Sequence, residues 1–187
     1  MPEVVLTQPE RIAVARLQAM LELLPTALDR ELAPAGLTSF EFTLLEALAE
    51  ADGHRMRLSA LATRTNATLA RLSRVVTSLE RKGLVERAAC AADARATNAV
   101  LTDAGLDTYR ESRRLHADAV RTLILDGLGG GDVDELARLT FAVLTRLDPH
   151  ARFGVTADGQ SCGADPGVNS PEVGPCAADP VVSAAAG

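Results

Sequence analysis

Between Thr68 and Gly83 two classes of residue recur at helical spacing on two sides of one segment. Leu69, Leu72, Val76 and Leu79 follow at steps of three, four and three, while Arg71, Arg74, Ser78 and Arg81 repeat the same steps on a different face. A helix of this kind has to bury its oily stripe and leave its guanidinium groups in water or against a polyanion. Thr68 is placed to cap its start, and Lys82-Gly83 provides a basic last turn and a glycine stop.

The flanking segments narrow the options further. Ser59 is placed to cap a brief helix holding Leu61 and Ala62, which ends near Thr65-Asn66, after a short extended piece at Met56 to Leu58. Beyond Gly83, Leu84 to Cys90 and Ala96 to Leu101 read as two strands joined by a loop over residues 91–95, long enough for a hairpin. Upstream, Leu17, Leu21, Leu24 and Leu28 lie on one face of a helix spanning about Arg11 to Leu32, which Pro25 is expected to kink or split. Thr38-Ser39-Phe40-Glu41 has the form of a capping box, with Leu37 and Phe42 as a hydrophobic staple. The helix it starts turns Leu44, Leu45 and Leu48 inward and stops near Asp52-Gly53. Thr102 caps a long helix to about Asp126, Gly127 to Gly131 interrupts it, and a last helix runs from about Asp132 to Leu147 with Val133, Leu136, Thr140, Leu144 and Leu147 on one side.

The formal net charge of −6 argues against a polyanion partner until its distribution is considered. From Gly53 to Arg95 there are nine basic residues against three acidic ones, so the rest of the chain carries the acidity. A basic segment inside an acidic protein fits a localised phosphate contact. Absence of Trp and an aromatic content of 3% leave little for a base-stacking platform of the kind that binds single-stranded RNA. Cys90, Cys162 and Cys176 are too few and too scattered for a disulfide framework, and His54, His116 and His150 too dispersed for a metal site. No phosphate-binding glycine loop and no H-E-x-x-H pattern occurs, so neither a cofactor nor an enzymatic activity is expected. Neither a membrane-length apolar run nor a basic secretory start is present, and the chain reads as cytoplasmic.

A short helix, a tight turn, a helix with one basic face and a following hairpin make a winged helix-turn-helix, whose second helix is of a width to enter the major groove of duplex DNA. The fold class expected is mainly α with a small β-hairpin wing. Arg71 and Arg74 are the candidates for base or phosphate contacts, with Thr68, Ser73 and Thr77 as shorter hydrogen-bonding partners.

Three stretches carry a resemblance: R-L-S-R at Arg71 to Arg74, L-E-R-K-G-L-V-E-R at Leu79 to Arg87, and D-A-R-A-T-N-A-V-L-T-D-A-G at Asp93 to Gly105. In these the chain resembles the MarR family of bacterial transcriptional regulators, and with the flanking helices the likeness spans about Arg11 to Leu147. The resemblance implies a homodimer whose first, fifth and sixth helices interlock, setting two winged helices on a pseudo-palindromic operator, most often as a repressor. It further implies that Asp93 and Arg95 form a wing motif in which the Arg reaches the minor groove or its phosphates and the Asp positions basic neighbours. Ala91, Ala92 and Ala94 depart from the charged or Pro residues common there, which shifts expected affinity towards the recognition helix. On this reading residues 1–10 are a flexible N-terminus and 11–148 a winged-helix domain. Within that domain the DNA-binding lobe covers about 37–101, and dimerisation helices cover about 11–33 and 102–148. Residues 149–187, with five Pro, six Gly and one aromatic residue, read as a disordered acidic tail.

The resemblance also implies a small phenolic or aromatic effector, bound between the dimerisation helices and the DNA-binding lobe. Tyr109, Arg113 and His116 lie on a heptad-like stripe of the fifth helix, where a cation and an imidazole in an apolar seam suit a carboxylate, or else meet partners at a dimer interface. Two further readings stay open. Cys90, beside the basic segment, suits a thiol-based redox switch or is a plain small strand residue. A winged helix that binds protein in place of DNA would fit the acidic total charge and the lean wing.

Overall fold

The structure, a computed structural model, describes residues 5–90 and 93–148. The expected tail, 149–187, lies outside the described residues. Helix α1 (Gln8–Leu32) leads through a single 3-10 turn to α2 (Ser39–Ala49). Strand β1 (Arg55–Arg57), α3 (Leu58–Arg64), α4 (Leu69–Arg81), β2 (Val85–Cys90) and β3 (Asp93–Leu101) complete the central lobe. Helix α5 (Asp103–Val120) continues into a π-type turn (Arg121–Leu125), and α6 (Asp132–Leu147) ends the described chain.

Helix starts follow local capping chemistry. Thr38 accepts a hydrogen bond from the Glu41 N–H, and Glu41 accepts from the Thr38 N–H at 2.9 Å, closing the expected box, with Leu37 and Phe42 buried beside it. Thr68 and Thr102 accept from the N–H groups of Arg71 and Gly105. α1 begins at Gln8, three residues before the expected start. Thr7 there donates both its N–H and its hydroxyl to Glu10, a box the periodicity of the leucines does not reveal. Ser59 does not cap α3, which starts two residues earlier than that cap would place it, with Arg57 at the cap position. Pro25 does not split α1. The turn around Pro25 is exposed, so the Leu21 carbonyl that loses its donor can be hydrated. Gly83, at φ 73°, ends α4, with the Leu84 N–H returning to the Leu79 carbonyl at 3.0 Å.

The wing is a three-stranded antiparallel sheet in the order β1-β3-β2. The extended piece before α3 is thus its third strand, with Met56 opposite Ala99, and Asp93 to Arg95 belong to strand β3 instead of a loop. The core lies between α2, α3, α4 and the sheet. Phe42, Leu44, Leu45 and Leu48 meet Leu61, Leu72, Val76 and Leu79, closed by Val85, Ala99 and Leu101 and roofed by Leu32 and Tyr109.

Glu41 lies at the centre of the polar joints in this core. It is 4% exposed and accepts from the Ser78 hydroxyl at 2.9 Å and from Lys82 Nζ at 2.7 and 2.8 Å, while Lys82 also donates to the Gly36 carbonyl at 2.8 Å. Burial pushes its carboxyl up, but hydrogen bonds from Lys82, the Thr38 N–H and Ser78 outweigh burial and hold it below the usual carboxylate range. Ser78 is therefore not part of the outward basic stripe.

α1 and α6 use the core least. Leu32 is the one buried residue of α1, α6 has none, and the leucine stripe of α1 is half-buried at most, with Leu17 and Leu21 exposed. Exposed apolar side chains collect on these two helices, including Ile12, Met20 and Leu23 on α1 and Val133, Leu139 and Phe141 on α6.

Two predictions follow from this packing. The Glu41 carboxyl binds its proton less readily folded than unfolded, so the unfolded chain holds more protons as pH falls below about 4.5, and the stability it contributes, full above that pH, drains away through the folded pKa. Glu41→Gln should lower unfolding free energy at pH 7 by about 1.5–3 kcal/mol and flatten its acid dependence, as read by urea titrations from pH 7 to 4. Gly105, in the first turn of α5, lies where an added Cβ would meet the Leu84 carbonyl oxygen at 2.0 Å. Gly105→Ala should cost about 1–3 kcal/mol in the same titrations, since that carbonyl already accepts from the Thr102 N–H and cannot retreat freely.

Candidate nucleic-acid interface

The two helices of the helix-turn-helix are joined by a turn with little freedom. Thr65, buried, donates to the Leu61 carbonyl at 2.7 Å, Asn66 takes the left-handed conformation at φ 53°, and the Ala67 N–H returns to the Ala62 carbonyl at 2.9 Å. These bonds fix where α4 starts. Leu72, Val76 and Leu79 then point into the core, and Thr68, Arg71, Arg74, Thr77 and Arg81 stand outward.

The expected contact residues do not form a single row. Arg71 lies on the α2 side, its guanidinium 4.1 Å from the centre of the Phe40 ring. Arg74 stands exposed, with a long Nε–H bond of 3.4 Å to the Ala70 carbonyl. Neither they nor Arg81 form an ion pair among the described residues, so three guanidinium groups face outward with their charge unneutralised.

Ser73 and Thr77 lie on the opposite flank, against β2. Arg87 of that strand donates to the Ser73 carbonyl at 3.0 Å, to its hydroxyl at 3.3 Å and to the Thr77 hydroxyl at 3.1 Å, and pairs with Glu80. Thr77 donates in turn to the Ser73 carbonyl at 3.0 Å. These two hydroxyls brace the helix against the wing, and Arg87 is a positioning residue that the spacing of α4 alone does not reveal. Its signal in the sequence is the position of an Arg and a Glu on either side of the Gly83 turn. Strand β3 carries Asp93 and Arg95, with Asp93 opposite Cys90. The side chains of Cys90, Asp93 and Arg95 lie outside what is described.

Tyr109, Arg113 and His116 come together at the junction of α5 with α2. The His116 ring stacks on Phe42 at 4.1 Å between centroids, Tyr109 leans on the same ring at 5.6 Å, and the Arg113 guanidinium lies 5.9 Å from the Tyr109 ring centre. Glu46 of α2, not anticipated, lies beside the Tyr109 hydroxyl. Burial and the neighbouring Glu50 push its carboxyl up, against the pull of Arg113, Arg64 and the Tyr109 hydroxyl. Burial and Glu46 likewise raise the Tyr109 phenol, and burial lowers His116, favouring its neutral ring. A separate open groove of about 370 Å³ lies between the 3-10 turn and α5, lined by Pro34, Ala35, Thr108, Glu111, Ser112 and Leu115. Among the described residues no group of three His, Cys, Asp or Glu is placed to hold a metal ion, and no helix is long and apolar enough to cross a membrane.

Comparison with known proteins adds to this geometry. The MarR family model matches residues 35–96, which take in α2 and the whole helix-turn-helix. Among solved structures the chain is similar to AbsC, a MarR family transcriptional regulator from Streptomyces coelicolor, at 35% identity and a TM-score of 0.73 over 79% of this chain and 99% of that one. Sco3205, a MarR family transcriptional regulator from the same organism solved in complex with DNA, is 34% identical with a TM-score of 0.74, over 78% of this chain and 96% of the other. A mutant MarR from E. coli complexed with operator DNA is 26% identical with a TM-score of 0.64, over 72% and 96%. Curated protein sequences give no match. The mostly helical architecture, its small antiparallel wing and these likenesses agree, and they point to regulation of transcription and not to an enzyme. The chain belongs to the MarR family of transcriptional regulators.

Proposed function

We propose that the protein is a cytoplasmic homodimeric repressor that binds a pseudo-palindromic duplex operator and releases it when a small aromatic or phenolic effector binds. The observation that carries the DNA-binding part is the outward face of α4, where Arg71, Arg74 and Arg81 stand without carboxylate partners among the described residues on a helix whose other two sides are fixed by Glu41 and Arg87. A rigid helix carrying unneutralised guanidinium groups suits bidentate contact with guanine or phosphate. Thr68, Arg71 and Arg74 contact the DNA directly, Ser73 and Thr77 hold the helix to the wing, and Asp93 and Arg95 serve the wing contact.

The DNA-binding lobe is residues 37–101, and dimerisation falls to 11–33 and 102–148. That division is supported by the apolar side chains exposed on α1 and α6, which find no cover among the described residues. Pairing of these helices between two copies would bury them and set two recognition helices one DNA turn apart. The effector would enter at Tyr109, Arg113 and His116. An anionic group there meets Arg113, which lies by the Tyr109 ring and whose charge already acts on Glu46, while His116 offers a neutral ring for stacking. Release follows if the effector prefers the conformer whose recognition helices are misspaced, since equal affinity for both shifts nothing.

DNA affinity at two salt concentrations tests the first part. Arg71→Ala and Arg74→Ala should each weaken operator binding by about 1–3 kcal/mol, and Arg95→Ala should weaken all sequences alike and reduce the salt slope by about one. Unchanged affinity in both α4 variants, or binding indifferent to salt, would remove α4 from the groove. For the second part, sedimentation should find a dimer at micromolar concentration. Leu139→Glu together with Phe141→Glu should yield monomers that keep their helical circular dichroism and lose operator binding; a wild-type monomer would refute the pairing.

A further inference from the structure

The first turn of α4 holds a residue out of place. Its spacing puts Leu69 in the buried stripe with Leu72, Val76 and Leu79, yet those three are fully buried and Leu69 is 54% exposed. The other exposed large apolar side chains among the described residues lie on α1 and the residues before it, on the π-type turn and on α6. Among the described residues between α2 and β3, Leu69 stands alone. Its neighbours Thr68, Ala70 and Arg71 are exposed as well, so the helix opens with four consecutive outward residues, two of them apolar and one a guanidinium.

Position determines what such a leucine meets. The start of a recognition helix is the part that reaches base edges in the major groove. There the one apolar feature is the C5-methyl of thymine, since the other base edges present donors and acceptors. A leucine tip against that methyl removes both from water. Against cytosine or a purine the same tip would strip water from polar groups without replacing their hydrogen bonds, which penalises the wrong base. Ala70 alongside is short enough to let the backbone of this turn come close, while Arg71, oriented by the Phe40 ring, and Arg74 take neighbouring guanines or phosphates. The fixed turn at Thr65 to Thr68 holds Leu69 in place before DNA arrives. We infer that Leu69 is a specificity-determining residue that reads the methyl group of one thymine in each operator half-site. This rests on the placement of α4 in the major groove proposed above.

The test uses the full chain and an operator selected from random duplexes. Each thymine of the half-site is replaced in turn by uracil, symmetrically in both halves, and affinity is measured by fluorescence anisotropy for wild type, Leu69→Ala, Leu69→Met and Arg74→Ala. At one thymine position uracil should weaken wild type about fourfold per half-site, the worth of one buried methyl group. Leu69→Ala should bind thymine and uracil operators equally at that position, Leu69→Met should keep part of the difference, and Arg74→Ala should bind more weakly while keeping all of it. If every uracil penalty persists in Leu69→Ala, or no thymine is sensitive, Leu69 does not read a methyl group even though α4 binds. Loss of the Arg74→Ala effect would instead overturn the groove placement and this inference with it. Leu69 is not a member of the buried core, so thermal unfolding of its variants should stay close to wild type and separate misfolding from lost recognition.

Discussion

The buried carboxylate of Glu41 sets the geometry of the DNA-binding lobe. A charge in the core is tolerable only when paired and fully hydrogen-bonded, and here the donors come from its own cap residue, Thr38, and from Ser78 and Lys82 at the far end of α4. Lys82 spans further to the Gly36 carbonyl, so the turn before α2 joins the same knot. Hydrophobic burial has no direction and would accept several rotations of α4 about its axis. The Glu41 pairing accepts the rotation that brings Ser78 inward, which turns Arg74 and Arg81 out. Arg87 fixes the opposite side through Ser73, Thr77 and Glu80. Two directional clamps on a greasy helix explain how three exposed guanidinium groups keep a defined orientation.

A different logic governs α1 and α6. α1 starts on its own Thr7–Glu10 box and stays helical through Pro25, and α6 opens after Gly131, yet the two bury almost nothing among the described residues. α1 reaches the lobe through its C-terminal part, where Leu32 enters the core and Asp29 accepts both the N–H and the hydroxyl of Ser39 at 2.7 Å. Their apolar residues are too numerous for ordinary surface and too clustered to be incidental. The chain thus divides into a lobe that completes its own core and a pair of helices that leave theirs open, matching the proposed separation of DNA contact from dimerisation.

Local chemistry was the legible part of this fold. Thr38, Thr68, Thr102 and Gly83 act within three or four residues of themselves, and the sequence states those interactions directly. What depends on distant partners was not legible. Ser78 shares its spacing with the arginines, and only the presence of Glu41, 37 positions earlier, turns it inward. Ser73 and Thr77 carry the right chemistry for DNA, but the packing of β2 presents Arg87 to them first. Met56 read as extended without a visible partner because the residue it pairs with, Ala99 of β3, lies 43 positions later in the chain. Leu69 misleads for another reason: helical periodicity presumes neighbours along the whole length of a stripe, and the first turn of α4 projects past the core that covers the rest.

α2 connects the two candidate sites. It carries Glu41, which fixes α4, and, at the next residue and about a turn further on, Phe42 and Glu46, which face His116, Tyr109 and Arg113 of α5. An anionic group drawn to Arg113 would compete with Glu46, whose carboxyl burial already disfavours as an ion. Glu41 and Glu46 use separate partners, so the proposed effector at Arg113 would leave the tie of α2 to α4 untouched, while Phe42 still packs against Tyr109 and His116 of α5.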